Sequence, residues 1–156
     1  HFNFLNRYPE SFTKFGTPGK YDLEVNYANS IAYTDYILES LFTYAKENLN
    51  LQAMLYFSDH ATIPDKRRSP NFEGLASVRI PMFTYFSDEY MKNNSEICKT
   101  LKKHQNYYWT NDLAYELLCS IFNIKSNHFD ESNSLASESF KYKREDLRTN
   151  NGKSKI

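Results

Sequence analysis

The stretch Leu51–His60, LQAMLYFSDH, sets the architecture expected of this chain of 156 residues. Its apolar run Ala53–Phe57 is typical of a strand that is buried on both faces, as in parallel sheets. The run ends abruptly in Ser-Asp-His at 58–60. Because chemistry in open α/β sheets gathers beyond the carboxyl ends of the strands, this strand end is the first candidate for a functional site.

The acid and the imidazole at this strand end suggest part of a divalent-metal site. Carboxylate oxygen and imidazole nitrogen are both ordinary zinc ligands, so Asp59 and His60 are the candidate ligands. Two ligands do not complete a site, because zinc takes four donors and magnesium or manganese takes more. A polar strand end capped by a turn is the simpler interpretation of the dipeptide. The residues alone leave both interpretations open.

The segment before this strand predicts a long helix over residues 21–47. Five apolar side chains recur at spacings of three, four and seven, which places them on one helix face: Tyr27, Ile31, Leu38, Phe42 and Ala45. A helix that runs directly into a buried strand is the αβ half of a βαβ unit. We therefore predict the α/β class, with a mostly parallel sheet flanked by helices, and an α/β core over residues 21–124.

The segment after His60 predicts a loop and then a second strand. Residues 61–74 contain two prolines and a glycine, which exclude regular structure. Within this loop Lys66, Arg67 and Arg68 form a candidate anion-binding group, since guanidinium groups suit phosphate and sulfate; a solvated basic turn is the alternative. Val78–Phe86 is predicted to be a strand in which Pro81 lies at an edge, a start or a bulge.

The rest of the chain predicts three short helices and a polar C-terminal segment. The helices are expected to start at a Ser87 cap, to cover Ser95–His104, and to run from a cap at Thr110 or Asn111 to about Asn123. His104 follows two lysines and is expected to be exposed to solvent. Residues 125–156 are polar, with a weak signal for a strand pair at Ser139–Tyr142 and Lys153–Ile156, whereas residues 1–20 predict an irregular loop.

Composition excludes several functions. Lys+Arg and Asp+Glu are equal at 19 each, so the chain carries no electrostatic footprint for nucleic acid. No apolar run approaches the roughly 18 residues that a membrane helix needs. Cys98 and Cys119 are either a pair or two buried thiols. The chain begins at His1 without a methionine, which suggests a segment of a longer protein.

Several stretches, in one order along the chain, resemble the phosphoethanolamine transferases, which are membrane-anchored members of the alkaline phosphatase/sulfatase superfamily that modify lipid A and related envelope targets. The stretches are His1 with Arg7-Tyr8-Pro9, the segment Tyr27–Tyr36 (YANSIAYTDY), the strand end Leu55–His60, the RIPMF motif at Arg79–Phe83, and Asn111-Asp112-Leu113. The resemblance implies that the chain is the C-terminal portion of one catalytic domain with a partial alkaline-phosphatase-like fold.

The resemblance also implies roles for individual residues. Asp59 and His60 would be two ligands of the principal zinc, which is manganese or calcium in some relatives. His1 would meet substrate phosphate or a second metal. The family's remaining acidic ligand and its threonine nucleophile have no counterpart in this chain. Ala61-Thr62 replaces the family's Gly-Glu, a departure that concerns the donor and acceptor pocket more than the metal ligands.

The implied reaction moves the phosphoethanolamine headgroup from a phospholipid to lipid A or another envelope glycan through a covalent threonine intermediate. The parent protein is then expected in the bacterial inner membrane, with this domain periplasmic. A sulfatase- or phosphatase-type hydrolase and a non-catalytic remnant that binds glycan or protein are the alternatives. We expect the segment alone to be soluble and inactive, to bind zinc weakly, and to self-associate through an exposed sheet edge.

Overall fold

A computed structural model of the chain describes residues 8–19, 22–64, 78–149 and 154–155. These residues fall into two compact units. The first holds the described residues within His1–Leu51 and Thr62–Ser69, and the second holds those within Gln52–Ala61 and Pro70–Ile156. The assignment of the whole chain to a single catalytic domain stays a prediction.

The first unit is built on one long helix, α1 (Leu23–Asn48), which confirms the helix predicted over residues 21–47. Asp22 caps it, because its carboxylate accepts a hydrogen bond from the backbone N–H of Val25 at 3.1 Å. This bond satisfies one of the donors that a helix N-terminus leaves without an intrahelical partner. A short 3₁₀ turn, Glu10–Phe12, precedes α1 in the chain.

The buried residues of α1 are two asparagines, Asn26 and Asn29, with exposed fractions of 2% and 0%. Asn29 Oδ1 accepts a hydrogen bond from the backbone N–H of Phe15 at 2.9 Å, and Asn29 Nδ2 donates to the carbonyl of Gly16 at 3.0 Å. Gly16 has a φ of +114°, a conformation that side chains other than glycine's rarely adopt. A polar contact therefore ties the loop before α1 to its first turns.

The apolar face predicted for α1 is confirmed only in part. Its other members are half-buried, but Ile31 is half exposed, and five further apolar side chains of α1 are also exposed: Leu23, Tyr36, Ile37, Leu41 and Tyr44. Asn29 is not part of the predicted apolar face, yet it is buried, because it binds the Phe15 N–H and the Gly16 carbonyl of the loop before α1.

The second unit contains a two-stranded sheet of β1 (Ala53–Phe57) and β2 (Met82–Phe86). The strands run antiparallel, with Ala53 opposite Phe86 and Phe57 opposite Met82. The predicted mostly parallel sheet is therefore not confirmed in the part of the chain that the structure describes. A parallel return needs a crossover connection, usually a helix, and the two prolines and the glycine in the sequence of residues 61–74 disfavour a helix there. All five residues of β1 are half-buried rather than buried on both faces.

Three short helices follow the sheet, close to their predicted positions: α2 (Asp88–Asn93), α3 (Ser95–Lys103) and α4 (Ala114–Ile121). Ser87 caps α2 as predicted, with its hydroxyl accepting from the Tyr90 N–H at 3.0 Å. A second two-stranded sheet pairs β3 (Arg148–Thr149) with β4 (Ser154–Lys155). The prediction that Ser139–Tyr142 supplies one of these strands is wrong, because Phe140 closes a turn onto Ser137 and is buried in the core.

The core of the second unit surrounds Leu117 of α4, which has no exposed surface. Burying a side chain of this size contributes about 1.5–3 kcal/mol. The residues that pack into the same cluster come from α2, α3, the 3₁₀ turn before α4, α4 itself and the C-terminal segment: Tyr90, Leu101, Leu113, Ile121, Leu135, Ala136 and Phe140. The segment that reads as polar in the sequence thus supplies part of the core.

Polar contacts also hold this core together. The hydroxyl of Tyr90 donates to the carbonyl of Ile121 at 2.6 Å, and burial, helped by Cys98, raises the pKa of that hydroxyl. His104 is 3% exposed, with Nδ1 2.9 Å from the carbonyl of Leu135. The predicted exposure of His104 is therefore wrong, since its ring fastens α3 to the C-terminal segment. Cys98 and Cys119 are free thiols and do not pair.

In the described part of the chain, no helix is both long and apolar enough to cross a membrane.

Candidate metal centre

The end of β1 carries Asp59 and His60 on a turn that hydrogen bonds hold from both sides. The backbone N–H of Ser58 donates to the carbonyl of Pro81 at 3.3 Å, which continues the pairing of β1 with the β2 side. The hydroxyl of Ser58 donates to the carbonyl of His60 at 2.9 Å. The chain therefore leaves the sheet in a defined turn, and the two predicted ligands occupy that turn.

The two side chains lie against each other. Asp59 Oδ2 is 3.4 Å from His60 Nε2, and Asp59 Oδ1 accepts a hydrogen bond from the backbone N–H of His60 at 3.0 Å. One carboxylate oxygen of Asp59 therefore accepts a backbone hydrogen bond, and the other faces the imidazole. The structure places the two residues together, although their role as metal ligands stays a prediction.

The remaining imidazole nitrogen sets the tautomer of His60. Nδ1 lies 2.9 Å from the carbonyl of Ala61, and a carbonyl can only accept, so Nδ1 carries the proton in the neutral ring. The lone pair then belongs to Nε2, the nitrogen that faces Asp59. Histidine ligands commonly have this arrangement, in which the second nitrogen donates to a backbone carbonyl and fixes the ring orientation.

The distance between the two donor atoms fits shared coordination of one ion. Ligand bonds of about 2.0–2.1 Å at a tetrahedral angle separate two donor atoms by about 3.3 Å. The Asp59 Oδ2 to His60 Nε2 distance is 3.4 Å, whereas a charge-assisted hydrogen bond between such groups is roughly 2.7–2.9 Å. The donor set and its spacing are therefore compatible with a shared zinc ion as well as with an ion pair.

The two donors differ in accessibility. The side chain of Asp59 is 71% exposed and that of His60 is 22% exposed. A ligand that solvent can reach can take up an ion without prior unfolding of the turn, while the half-buried ring keeps its orientation. The pair is thus open on the carboxylate side.

Sequence reasoning missed one residue of this site, Asn111. Its Nδ2 donates to the backbone carbonyls of Ser58 at 3.1 Å and of Asp59 at 3.0 Å. Nearby in the chain, the Trp109 ring meets Phe57 edge-on, with centroids 5.4 Å apart. The one sequence signal for Asn111 is that it opens the Asn-Asp-Leu motif in the resemblance.

The described residues supply two candidate metal ligands and no more. Within them, no group of three or more His, Cys, Asp and Glu side chains could hold a metal ion. His1, the predicted phosphate or second-metal residue, and Arg67 and Arg68, the predicted anion-binding pair, lie outside the described residues. Their roles stay predictions.

The fold resembles that of a solved domain. The C-terminal periplasmic domain of phosphoethanolamine transferase EptC from Campylobacter jejuni matches with a TM-score of 0.67 and 21% identity. The match covers 88% of this chain and 48% of that domain. The similarity shows that the chain shares the fold of part of that domain.

Two relatives in Escherichia coli are similar in sequence. Phosphoethanolamine transferase EptA of strain K12 is 22% identical over 160 residues, covering 85% of this chain and 27% of the relative. Kdo(2)-lipid A phosphoethanolamine 7''-transferase of the same strain is 27% identical over 120 residues, covering 66% of this chain and 21% of the relative. The chain spans about a quarter of the length of these curated relatives.

A family model decides the broader assignment. The model of the sulfatase family matches residues 1–120, which include β1, the Asp59–His60 turn and Asn111. The match covers well over half of the chain and agrees with the superfamily that the sequence resemblance indicates. The chain belongs to the sulfatase family.

Proposed function

We propose that the protein carrying this chain is a metal-dependent phosphoethanolamine transferase, in which Asp59 and His60 are two ligands of the catalytic ion. The observation that carries the proposal is the 3.4 Å separation of Asp59 Oδ2 and His60 Nε2, with Nδ1 directed at the Ala61 carbonyl. The names of the relatives support the reaction class. Zinc suits this carboxylate and imidazole pair, with manganese or calcium as alternatives.

The residues of this chain have separate tasks in that reaction. The ion, when bound, supplies charge that stabilises phosphate oxygens and lowers the pKa of a nearby hydroxyl. His60 holds Nε2 in place through its Nδ1 contact to Ala61, and Asp59 keeps one oxygen for the ion because the other accepts from the backbone. The nucleophile we propose is a threonine from a part of the protein outside this chain. Its hydroxyl oxygen would attack the donor phosphorus and lose its proton, while the bond from phosphorus to the lipid alcohol breaks and that alcohol leaves protonated. An acceptor hydroxyl or phosphate oxygen would then attack the same phosphorus and release the threonine.

The substrates follow from the names of the relatives and from the resemblance. A phospholipid with an ethanolamine headgroup is the proposed donor, and lipid A or another envelope glycan is the proposed acceptor. We propose that the protein lies in the bacterial inner membrane with this domain in the periplasm, which is the compartment in the name of the similar EptC domain. We propose that His1 meets substrate phosphate or a second metal, and that Arg67 and Arg68 bind an anion.

A non-catalytic remnant is the second candidate. The observation that favours it is that the described residues hold no third His, Cys, Asp or Glu beside Asp59 and His60. A remnant would keep the fold and bind glycan or protein without turnover. A sulfatase- or phosphatase-type hydrolase is distinguished by its product, since it releases the group to water instead of passing it to an acceptor.

The test is the Asp59→Asn variant of the full-length natural protein, assayed by mass spectrometry for headgroup transfer from ethanolamine phospholipid vesicles to lipid A. The amide keeps the shape but loses the charge. Because loss of an outer-shell partner already costs about 10–100-fold, we expect loss of this ligand to reduce transfer at least 100-fold. Asp88→Asn, in the first turn of α2 and exposed, is the matched control and should leave transfer unchanged. Full transfer by Asp59→Asn would reject the proposal.

A further inference from the structure

Asn111 links the start of α4 to the end of β1. It opens the 3₁₀ turn Asn111–Leu113, whose N-cap is Thr110, with the Thr110 hydroxyl accepting from the Asp112 N–H at 3.1 Å. Leu113, at the end of this turn, is buried in the core and anchors the turn there. From this anchored position the amide reaches residues more than fifty positions earlier in the chain.

The orientation of the Asn111 amide follows from its partners. Its NH₂ group donates to two carbonyl oxygens, those of Ser58 and Asp59, at 3.1 and 3.0 Å. The flipped amide would set Oδ1 against both of these oxygens, which repel it, so this orientation is the one the contacts permit. In the described part of the chain, the buried Oδ1 has no hydrogen-bond partner. The side chain thus donates to two carbonyls while its own oxygen stays unpaired, and an unpaired buried acceptor lowers stability.

The two carbonyls belong to the peptide planes on either side of Asp59. Because a peptide unit is planar, holding the Asp59 carbonyl also holds the backbone N–H of His60. That N–H donates to Asp59 Oδ1 at 3.0 Å and so orients the carboxylate. A continuous series of contacts therefore links Asn111 to the Asp59 carboxylate, whose Oδ2 lies 3.4 Å from His60 Nε2.

We propose that Asn111 is a positioning residue for the metal ligands, which acts through the backbone of the Ser58–His60 turn and does not touch the ion. The inference rests on the proposed function, since it assigns a task toward the ion that Asp59 and His60 hold. Groups that orient metal ligands from outside the coordination sphere commonly change metal affinity by about 10–100-fold. The edge-on contact of Trp109 with Phe57 keeps the 109–111 segment beside the strand end.

The test compares Asn111→Ala with the unchanged full-length protein in calorimetric titrations with Zn²⁺ alone. We expect zinc affinity to fall about 10–100-fold, the range typical of lost outer-shell partners. The matched control is Asn94→Ala. It removes a similar side-chain hydrogen bond, from Asn94 Nδ2 to the Tyr90 carbonyl at 3.1 Å, at the end of α2 and not at the Ser58–His60 turn. Asn94→Ala should leave zinc affinity unchanged. Unchanged affinity in Asn111→Ala would overturn the inference.

A second readout separates this inference from the proposed function. Amide hydrogen exchange of the His60 N–H, followed by NMR in metal-free protein, should accelerate at least roughly fivefold in Asn111→Ala and not in Asn94→Ala. If the unchanged protein binds no zinc, the proposed function fails, while the exchange rate still decides the role of Asn111. An unchanged exchange rate contradicts the positioning role. Should Asn111→Ala fail to fold, Asn111→Leu keeps the approximate side-chain volume without either donor and gives the same comparison.

Discussion

Two asparagines, Asn29 in the first unit and Asn111 in the second, each hydrogen-bond the backbone of another segment. They differ in whether the side-chain oxygen also has a partner. Each directs its Nδ2 at a backbone carbonyl of a loop distant in sequence. Asn29 also accepts, at Oδ1, the backbone N–H of Phe15, and it has no exposed surface. Asn111 Nδ2 donates to the carbonyls of Ser58 and Asp59, and in the described residues its Oδ1 has no hydrogen-bond partner.

This difference in hydrogen bonding indicates that Asn29 stabilises the fold, whereas Asn111 fixes the geometry of the Ser58–His60 turn. A buried amide with both ends satisfied adds stability, because nothing on it is left unpaired. A buried amide with an unpaired acceptor gives up part of that gain. Such an arrangement is reasonable where geometry matters more than stability, and in this chain it occurs beside Asp59 and His60.

The largest stability effect is expected at Asn29. Asn29→Ala leaves the Phe15 N–H and the Gly16 carbonyl without their partner, so the free energy of unfolding of the first unit should fall by about 2–4 kcal/mol. Chemical denaturation followed by circular dichroism measures the loss. Asn48→Ala is the matched control on the same helix, because its exposed bond to the Tyr44 carbonyl can be replaced by water. Equal stability of the Asn29 and Asn48 variants would break the comparison.

A smaller stability effect is expected at Asn111. Asn111→Ala removes two hydrogen bonds to carbonyls that are partly open to solvent, and it also removes the unpaired Oδ1, so the two contributions oppose each other. The free energy of unfolding of the metal-free protein should change by less than about 1 kcal/mol. The same denaturation experiment measures it. A loss as large as that of Asn29→Ala would make Asn111 a structural residue first and would weaken its assignment to the site.

Local chemistry allowed most elements to be predicted from the sequence. Capping residues such as Asp22 and Ser87 act within one turn of the chain, so their helices begin where expected. The strand Ala53–Phe57 was also predictable from local sequence, because it is a short continuous apolar run. The direction of its partner strand depends on the whole connection, and periodicity at β1 contains no information about it.

Burial of polar residues could not be predicted from hydrophobic patterns. His104 was expected to be exposed and Asn29 is not in the predicted apolar face, yet they are 3% and 0% exposed because backbone groups of other segments bind them. For Asn29 the available signal was the YANS segment in the family resemblance. The site shows the same limit, since the dipeptide Asp59–His60 was visible in the sequence while Asn111, 52 residues from Asp59, required the fold.

The most direct test of the central claim, that Asp59 and His60 hold one ion together, is anomalous diffraction at the zinc edge from crystals of the zinc-loaded full-length protein. We predict a peak at about 2.0–2.2 Å from a carboxylate oxygen of Asp59 and from Nε2 of His60. His60 Nδ1 should keep its contact to the Ala61 carbonyl. A peak remote from both side chains, or coordination through Nδ1, would contradict the account.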